Sequence, residues 1–394
     1  MSSVTAVMPR PKPRRTARFF AANFMLAVIG AEGGIAVALG IFAQPFSDWT
    51  NPGLMVTAVS RVLAMAGTYL ALVTLLLAAR IPWLEREIGQ DRLIKWHRML
   101  APYSLYLITG HVLLVTIGYS LIGSLNTWQQ FWALVLGTSW MMPALVGLIF
   151  MLIVGFTSYK RARRRMTYET WWMIHVYSYL GIALSFMHQI ESGSMFVNNE
   201  NMKKWWLALF IAVFAAILGF RWVIPFARSS KYDLRVEKVV RETRNTISVV
   251  VRGRNLADLN ARGGQFFGWR FLDGKHWWES HPYSLSASPR NDRLRVTIKD
   301  LGDASSSVAQ LRPGTRVMIE GPYGTFTADK AESEYAVLIA GGVGITPMMS
   351  IVRSLTDRGW AGEIYLVFSV RKRADVIFEA ELDYLKARFP NLHV

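Results

Sequence analysis

Four histidines in two apolar stretches have the spacing with the most chemical content. His97 and His111 are 14 residues apart, and His175 and His188 are 13 apart. At about 1.5 Å of rise per helical residue, each interval spans roughly 20 Å, most of the way through a hydrocarbon layer about 30 Å thick. Two such helices side by side would set one imidazole from each at two depths, enough for two stacked His–iron–His bridges. Haem iron accepts imidazole as an axial ligand, and two haems at successive depths make a path for electrons. A lone intramembrane histidine can instead hydrogen-bond a neighbouring helix. Polar groups at that depth are costly and functional by default, however, and two matched pairs favour ligation. The second pair carries a geometric condition. On a helix of 3.6 residues per turn, 14 residues return to within about 40° of the starting face, whereas 13 end about 140° away. The second helix must therefore kink or rotate locally between its histidines, or bend its ligands inward.

The elements that hold these rings follow from composition. The chain has 394 residues and is 52% hydrophobic, yet carries 44 Lys+Arg against 27 Asp+Glu, a combination that fits a membrane half joined to a polar half. Without cysteine it has no disulfide, thiolate metal site or iron–sulfur cluster. A net charge of +17 raises the question of nucleic acid. The basic residues lie in short loops between apolar runs, where they set membrane orientation, and this argues against a nucleic-acid partner. Six apolar segments, near 19–43, 57–80, 96–121, 131–157, 170–190 and 204–226, are each long enough to span, since about 20 residues suffice.

Basic clusters alternate with these segments. The tail 1–18 holds Arg10, Lys12, Arg14, Arg15 and Arg18. Arg80, Arg86, Arg92, Lys95 and Arg98 follow the second segment, the run from Lys160 to Arg165 follows the fourth, and Arg228 and Lys231 follow the sixth. The positive-inside rule then puts both termini in the cytoplasm of a plasma or inner membrane, and no signal-peptide pattern precedes the first span. The third and fifth spans both run outward. His97 and His175 therefore lie near the cytoplasmic face, and His111 and His188 toward the outside. Arg98 has two readings, a haem-propionate partner or one more topology charge. Glu32 and Arg61 are ionisable groups inside spans and candidates for lining a cavity. Trp171, Trp172, Trp205, Trp206 and Trp222 read as interfacial belts.

From about 231 the pattern changes to short alternating strands near 232–237, 246–251, 264–267, 294–299 and 315–320, punctuated by Gly, Pro and Asp. A small antiparallel barrel is expected. From about 334 a buried strand runs into Gly341-Gly342-Val343-Gly344-Ile345-Thr346-Pro347 and a helix, and a second strand–helix unit follows. A glycine turn between a strand and a helix leaves backbone N–H groups and a helix N-terminus free to receive a pyrophosphate, with proline suited to the helix start.

The order of these motifs is specific. His281-Pro282-Tyr283-Ser284 is followed by Val296 to Lys299 with Gly302-Asp303, by Gly321-Pro322-Tyr323-Gly324, and by the glycine cluster. This order resembles the ferredoxin-reductase-type flavoproteins. Joined to six spans with paired histidines, nearly the whole chain resembles the ferric reductase and NADPH oxidase superfamily. The resemblance implies a membrane all-α six-helix bundle, an antiparallel β-barrel FAD domain and an incomplete α/β nucleotide-binding domain. The boundaries would be a basic tail at 1–18, a haem-binding membrane domain at 19–228, a FAD domain at 229–330 and an NAD(P) domain at 331–394.

It also implies roles. Tyr283 would lie against the isoalloxazine ring, Ser284 would hydrogen-bond near flavin N5, and His281, next to Pro282, would approach the ribityl–phosphate side, where soluble relatives often carry arginine. Lys299 and the stretch from Gly302 through Asp303, Ser305 and Ser306 would approach the FAD pyrophosphate. Gly341, Gly342, Gly344, Thr346 and Pro347 would form the nicotinamide-nucleotide phosphate turn. Arg371, together with Arg373, would meet a 2′-phosphate or stand as a solvated loop charge, so NADPH and NADH both remain open. One departure stands out. The chain stops at His393-Val394 and lacks the Cys-Gly-Pro-type motif of relatives, so further chain, or a module such as a plant-type ferredoxin, is expected beyond it.

The expected activity is electron transfer from cytosolic NAD(P)H through FAD and two b-type haems to an extracytoplasmic small-molecule acceptor. O2 and ferric or cupric chelates are both candidates, with short outer loops favouring an open site. Alternatives are a non-enzymatic haem-binding sensor or scaffold, and a quinone-linked electron carrier.

Overall fold

The computed structural model describes residues 15–197, 199–273, 279–327 and 334–394, without the side chains at 15–22, 86, 169, 303 and 304. The expected roles of the tail arginines, of Arg86 and of the Asp303 carboxylate therefore lie outside the described residues. In chain order the helices before the strands are α1 (Arg15–Phe42), α2 (Pro52–Ala78), α3 (Pro82–Ile88), α4 (Gln90–Ile122), α5 (Thr127–Gly137), α6 (Met141–Ser158), α7 (Lys160–Arg163), α8 (Tyr168–Leu184), α9 (Phe186–Ser192), α10 (Ser194–Val197), α11 (Glu200–Leu218) and α12 (Ile224–Tyr232). A π-helical turn, Gly219–Val223, joins the last two.

Among the described residues five helical stretches are long and apolar enough to cross a membrane: Asn23–Phe42, Pro52–Ala78, Gln90–Ile122, Met141–Ser158 and Glu200–Tyr232. Two expected segments are divided. The segment near 131–157 splits into α5 and α6 at Thr138 to Trp140, with Trp140 in the left-handed region at φ 62°. The segment near 170–190 splits at Ser185 into α8 and α9, so neither piece meets the length of a single span.

Two compact units emerge, residues 1–79 with 91–217, and residues 80–90 with 218–394. The second takes in the short loop helix α3, which a single cut near 228 would have assigned to the membrane half. In the first unit, small residues let helices approach closely. A Cβ added at Gly147 of α6 would stand 2.5 Å from the Gly181 carbonyl of α8. One added at Gly40 of α1 would meet the Val62 backbone of α2 at 3.0 Å.

The strands of the second unit are β1 (Arg235–Thr243), β2 (Thr246–Arg252), β3 (Phe266–Phe271), β4 (His281–Ser284), β5 (Arg293–Lys299), β6 (Val317–Tyr323), β7 (Tyr335–Gly341), β8 (Glu363–Ser369) and β9 (Leu392–His393). The remaining helices are α13 (Asp303–Ser307), α14 (Ile345–Asp357) and α15 (Glu379–Arg388). Two antiparallel sheets form, ordered β1-β2-β5 and β4-β3-β6. Both contribute to one buried cluster that includes Val249, Phe267, Trp269, Leu285, Val296 and Ile319. Isolated bridges, Arg235 to Arg316 and Leu285 to Val296, link the two sheets among the described residues. The expected barrel thus takes the form of two sheets on a shared core.

The parallel sheet β7-β8-β9 follows. Leu338, Ala340, Ile364 and Leu366 pack against α14 and α15 residues such as Met349 and Leu382. The other face, with Val337, Ile339 and Val367, is exposed. Parallel sheets are ordinarily covered on both faces.

Candidate functional site

The helical unit positions its histidines by a repeat of seven. On α4, His97, Ser104, His111 and Gly118 follow one another at seven-residue steps; on α2, Thr74, Gly67, Ser60 and Gly53 do the same in the opposite direction. Each rung is a contact. His97 Nδ1 lies 2.8 Å from the Thr74 carbonyl, Ser104 Oγ donates to the Gly67 carbonyl at 2.8 Å, and His111 Nδ1 lies 3.0 Å from the Ser60 carbonyl. At the last rung a Cβ on Gly118 would stand 3.0 Å from the Gly53 carbonyl. A seven-residue repeat is the period at which two helices keep one seam in register.

The rungs fix chemistry as well as position. A carbonyl oxygen only accepts, so Nδ1 must carry the proton in both His97 and His111, and the lone pair sits on Nε2. That is the tautomer of a metal-ligating imidazole held by an outer hydrogen bond.

The facing histidines come from the divided helix. His175 lies on α8, and its ring centroid is 6.0 Å from that of His97, with the planes inclined at 64°. Metal–imidazole bonds of about 2 Å on each side, plus about 1 Å from each nitrogen to its ring centre, require roughly 6 Å, so this spacing accommodates an iron between the rings. His175 Nδ1 is 3.3 Å from Ser158 Oγ, which also receives the Trp171 Nε1–H at 3.2 Å. The Trp171 ring stacks on His175 at 4.8 Å.

His188 lies beyond the break at Ser185, on α9. Its Nδ1 is buried and forms no well-aligned hydrogen bond among the described residues, with the Ser185 carbonyl at the break as the ring's backbone neighbour. The break satisfies the condition set by the 13-residue interval, since α8 and α9 need not share one face. Gln189 secures the break by donating to the Ser185 carbonyl at 2.8 Å and accepting from Trp206 Nε1 at 2.8 Å. His111 and His188 line one cavity of about 240 Å³, together with Arg61, Tyr119, Gln189 and Ser192 among others. Arg61 donates to Gln44 Oε1 at 2.6 Å and to the Tyr119 hydroxyl at 3.4 Å, and it forms no ion pair among the described residues. Glu32 accepts the Trp205 Nε1–H at 2.7 Å. Free Nε2 atoms, ring spacing and a shared cavity all fit bis-histidine haem.

In the second unit β4 carries the motif expected to meet a flavin. His281, Pro282, Tyr283 and Ser284 pair with Trp269, Gly268, Phe267 and Phe266 of β3. Alternation along a strand puts His281 and Tyr283 on the same side, with ring centroids 6.0 Å apart. His281 Nε2 meets Glu279 Oε2 at 3.0 Å. Burial, and to a lesser degree the Glu279 carboxylate, push the Tyr283 hydroxyl up to about 12, so it stays a neutral donor. Trp269 Nε1 donates to the Tyr283 carbonyl at 3.0 Å and locks the strand pair.

Lys299 ends β5 and forms no ion pair among the described residues. The turn after it is self-contained: Ser305 and Ser306 both donate to the Gly302 carbonyl, at 2.8 and 3.1 Å. A neutral phenol, a histidine and a lysine without an ion pair among the described residues suit a flavin nucleotide.

The glycine turn is open. Cβ atoms at Gly341, Gly342 and Gly344 would meet nothing within 4 Å, and Gly342 sits at φ +52°. No side chain caps α14, where Thr346 is buried and Pro347 lies in the first turn. Gly341 pairs in register with Ser369, which brings the turn and Arg371 to the same carboxyl edge of the sheet, where open α/β sheets bind ligands. Arg371 is exposed and free of ion pairs among the described residues, whereas Arg373 engages Glu379 at 3.4 Å. A nucleotide phosphate fits this edge.

The comparisons agree with the geometry. Residues 63–186 match the ferric reductase like transmembrane component, 231–327 a FAD-binding domain, and 338–394 an oxidoreductase NAD-binding domain. The three matches follow one another along the chain in that order. It is 24% identical over 81% of its length to ferric/cupric reductase transmembrane component 1 of Candida albicans, covering 40% of that protein. Over 40% of its length it is 34% identical to the ferredoxin reductase component of a 3-ketosteroid-9-alpha-monooxygenase from Mycolicibacterium smegmatis, covering 47% of it. Over the same share it is 32% identical to an NADPH oxidoreductase of Mycobacterium tuberculosis, covering 43%. The chain spans less than half the length of each of these relatives. Among solved structures it is similar to the FAD/NAD-binding domain of a Vibrio cholerae nitric oxide dioxygenase, with TM-score 0.36 and 24% identity over 41% of this chain and 70% of that one. The chain thus joins a ferric-reductase-like transmembrane region to FAD-binding and NAD-binding domains.

Sequence reasoning missed the rungs opposite the histidines (Thr74, Ser60 and the Ser104–Gly67 contact) and the Ser158–Trp171 support of His175. The signal was present. Gly53, Ser60, Gly67 and Thr74 are small residues at the same period as the histidine helix.

Proposed function

We propose that the ferric-reductase-like chain moves electrons from cytosolic NAD(P)H, across a six-span membrane unit with both termini inside, to an acceptor on the far side. When bound, the flavin takes hydride and releases single electrons, which the haems relay one at a time. His97 with His175, and His111 with His188, would hold the two haems through Nε2. Tyr283 and Ser284 would hold the flavin ring and His281 its phosphate side, with Lys299 and the Gly302 turn toward the pyrophosphate. Gly341, Gly342, Gly344 and the α14 N-terminus would receive the nicotinamide-nucleotide phosphate, and Arg371 would contact a 2′-phosphate. Domain boundaries near 228 and 330 serve this division.

One observation carries the reading. Two histidines at matching rungs of one seam are both forced into the ligating tautomer, and both face histidines of a second helical segment.

Among acceptors, metal chelates are favoured by the Candida albicans relative, a ferric/cupric reductase transmembrane component. The test is an anaerobic absorption spectrum of the purified chain before and after NAD(P)H. Flavin bleaching together with reduction of a Soret-absorbing centre supports the proposal. Flavin bleaching alone supports the sensor or scaffold reading. Ferrous-chelate colour insensitive to superoxide dismutase marks a metalloreductase, and dismutase-sensitive cytochrome c reduction marks an oxidase.

A further inference from the structure

The four imidazoles differ at Nδ1. We propose that this inequality separates the midpoint potentials of the two haem sites, and that Ser158 is a positioning residue that lowers the potential of the His97–His175 site. The inference rests on the haem reading above.

At the His97–His175 site both rings have an acceptor, the Thr74 carbonyl at 2.8 Å and the Ser158 hydroxyl at 3.3 Å. At the His111–His188 site only one ring has a well-formed acceptor, the Ser60 carbonyl at 3.0 Å; the His188 ring has only the poorly aligned Ser185 carbonyl, which Gln189 already engages at 2.8 Å. An acceptor at Nδ1–H draws the proton off the ring and makes the other nitrogen a stronger donor, which favours the more highly charged iron. Two well-formed acceptors therefore hold the first site at a lower potential than one well-formed and one poorly aligned acceptor hold the second.

A serine hydroxyl has two lone pairs and one proton. The Trp171 N–H occupies one lone pair, at 3.2 Å, and the other is left for His175. Trp171 also stacks on the imidazole, so Ser158 and Trp171 together fix the ring's rotation about its ligand bond. Local charge acts in the same direction. Arg61 lines the cavity of the second site without a carboxylate partner among the described residues, and a nearby cation favours the reduced centre. Arg98, beside His97, would oppose this, but its side chain is exposed and its charge is screened. Electrons arriving at the first site thus run downhill to the second.

The test is a potentiometric titration of the full chain in detergent, followed at the Soret band, with the ferric low-spin EPR signal as a second readout. The His188→Ala variant assigns the component that belongs to His97–His175. Ser158→Ala is expected to raise that component's potential, shift its EPR signal and leave the other component in place, and Ser158→Thr, which keeps the hydroxyl, is expected to restore both. No shift in Ser158→Ala, or equal movement of both components, overturns the inference while leaving haem binding intact. Absence of any Soret band in the unmodified chain overturns the haem reading itself.

Discussion

The loop helix α3 offers a sharp test of how the second unit is held together. Glu85 is 4% exposed, and neither of its carboxylate oxygens has a hydrogen-bond partner. Burial pushes its pKa up; Arg80 and Arg221 pull it back and Glu320 repels it, leaving a value of about 8 against an ordinary 4.5. Around it, Arg270 meets Glu320 at 2.6 Å, and Arg80 approaches Glu320 at 3.8 Å while lying over the Tyr323 ring. A carboxyl whose docked pKa is raised binds a proton on docking. The docked state is therefore most favoured below pH 4.5, weakens as pH rises, and stops changing above about 8. Each pH unit in that window is worth about 1.4 kcal/mol, a factor of ten, and the whole window roughly 5 kcal/mol.

The perturbation is Glu85→Gln, which keeps the shape and removes the titration. Hydrogen exchange of the α3 amides in the full chain, corrected for intrinsic rates, should show protection falling about tenfold per pH unit from 5 to 8 in the unmodified chain. In the variant it should stay flat, with a gain of roughly 3 kcal/mol at pH 7. Equal slopes in the two proteins would refute the argument that Glu85 is docked in its neutral form.

Four further outcomes follow from the geometry. His188→Ala should halve the haem content measured as pyridine haemochrome, since the His97–His175 site keeps both its ligands; retention of both haems would remove His188 as a ligand. Gly147→Val should lower thermal stability in detergent by about 1–3 kcal/mol, because the new side chain collides with the Gly181 carbonyl of α8; an unchanged midpoint counts against that close approach. Gly341→Ala, at a negative φ and facing open space, should leave the fold intact yet weaken NAD(P)H binding about tenfold, or ~1.4 kcal/mol, as read by titration of flavin reduction; unchanged affinity would move the phosphate elsewhere. Arg371→Ala should reduce the preference for NADPH over NADH by about tenfold, the loss of one charge-assisted contact, and equal effects on both nucleotides would make it a solvated charge.

Much of this was legible in the sequence because its signals are local. The strand–glycine turn–helix at 335–357 and the His281 to Ser284 motif each sit within one or two elements, and the structure gives each the expected kind of local element. The 13-residue interval called for a kink, a local rotation or inward-bent ligands, because an ideal helix cannot put His175 and His188 on one face, and the structure has a break at Ser185. Other features were hidden by distance in sequence. Ser158 reaches His175 across two helices, and its role depends on a neighbouring Trp171 that composition assigned to an interfacial belt. Glu85 and Glu320 are 235 positions apart, and Glu85 looked like an ordinary residue in a basic loop until burial removed its solvent. Segment lengths misled for a related reason. Hydropathy near 131–157 and 170–190 reads as unbroken, whereas Trp140 and Ser185 interrupt the helices by backbone conformation that hydropathy does not record.

The seam between α2 and α4 sets a rule for how such a conduit can change over generations. Inserting or deleting one residue between 97 and 118 would rotate every later rung away from its partner by about 100°, so a small length change would silence an entire level. Only steps of seven, matched on both helices, preserve the pairing, each adding about 10 Å. The distance between the two histidine levels is therefore quantised, and a thicker membrane would have to be met at the ends of the helices rather than between the histidines.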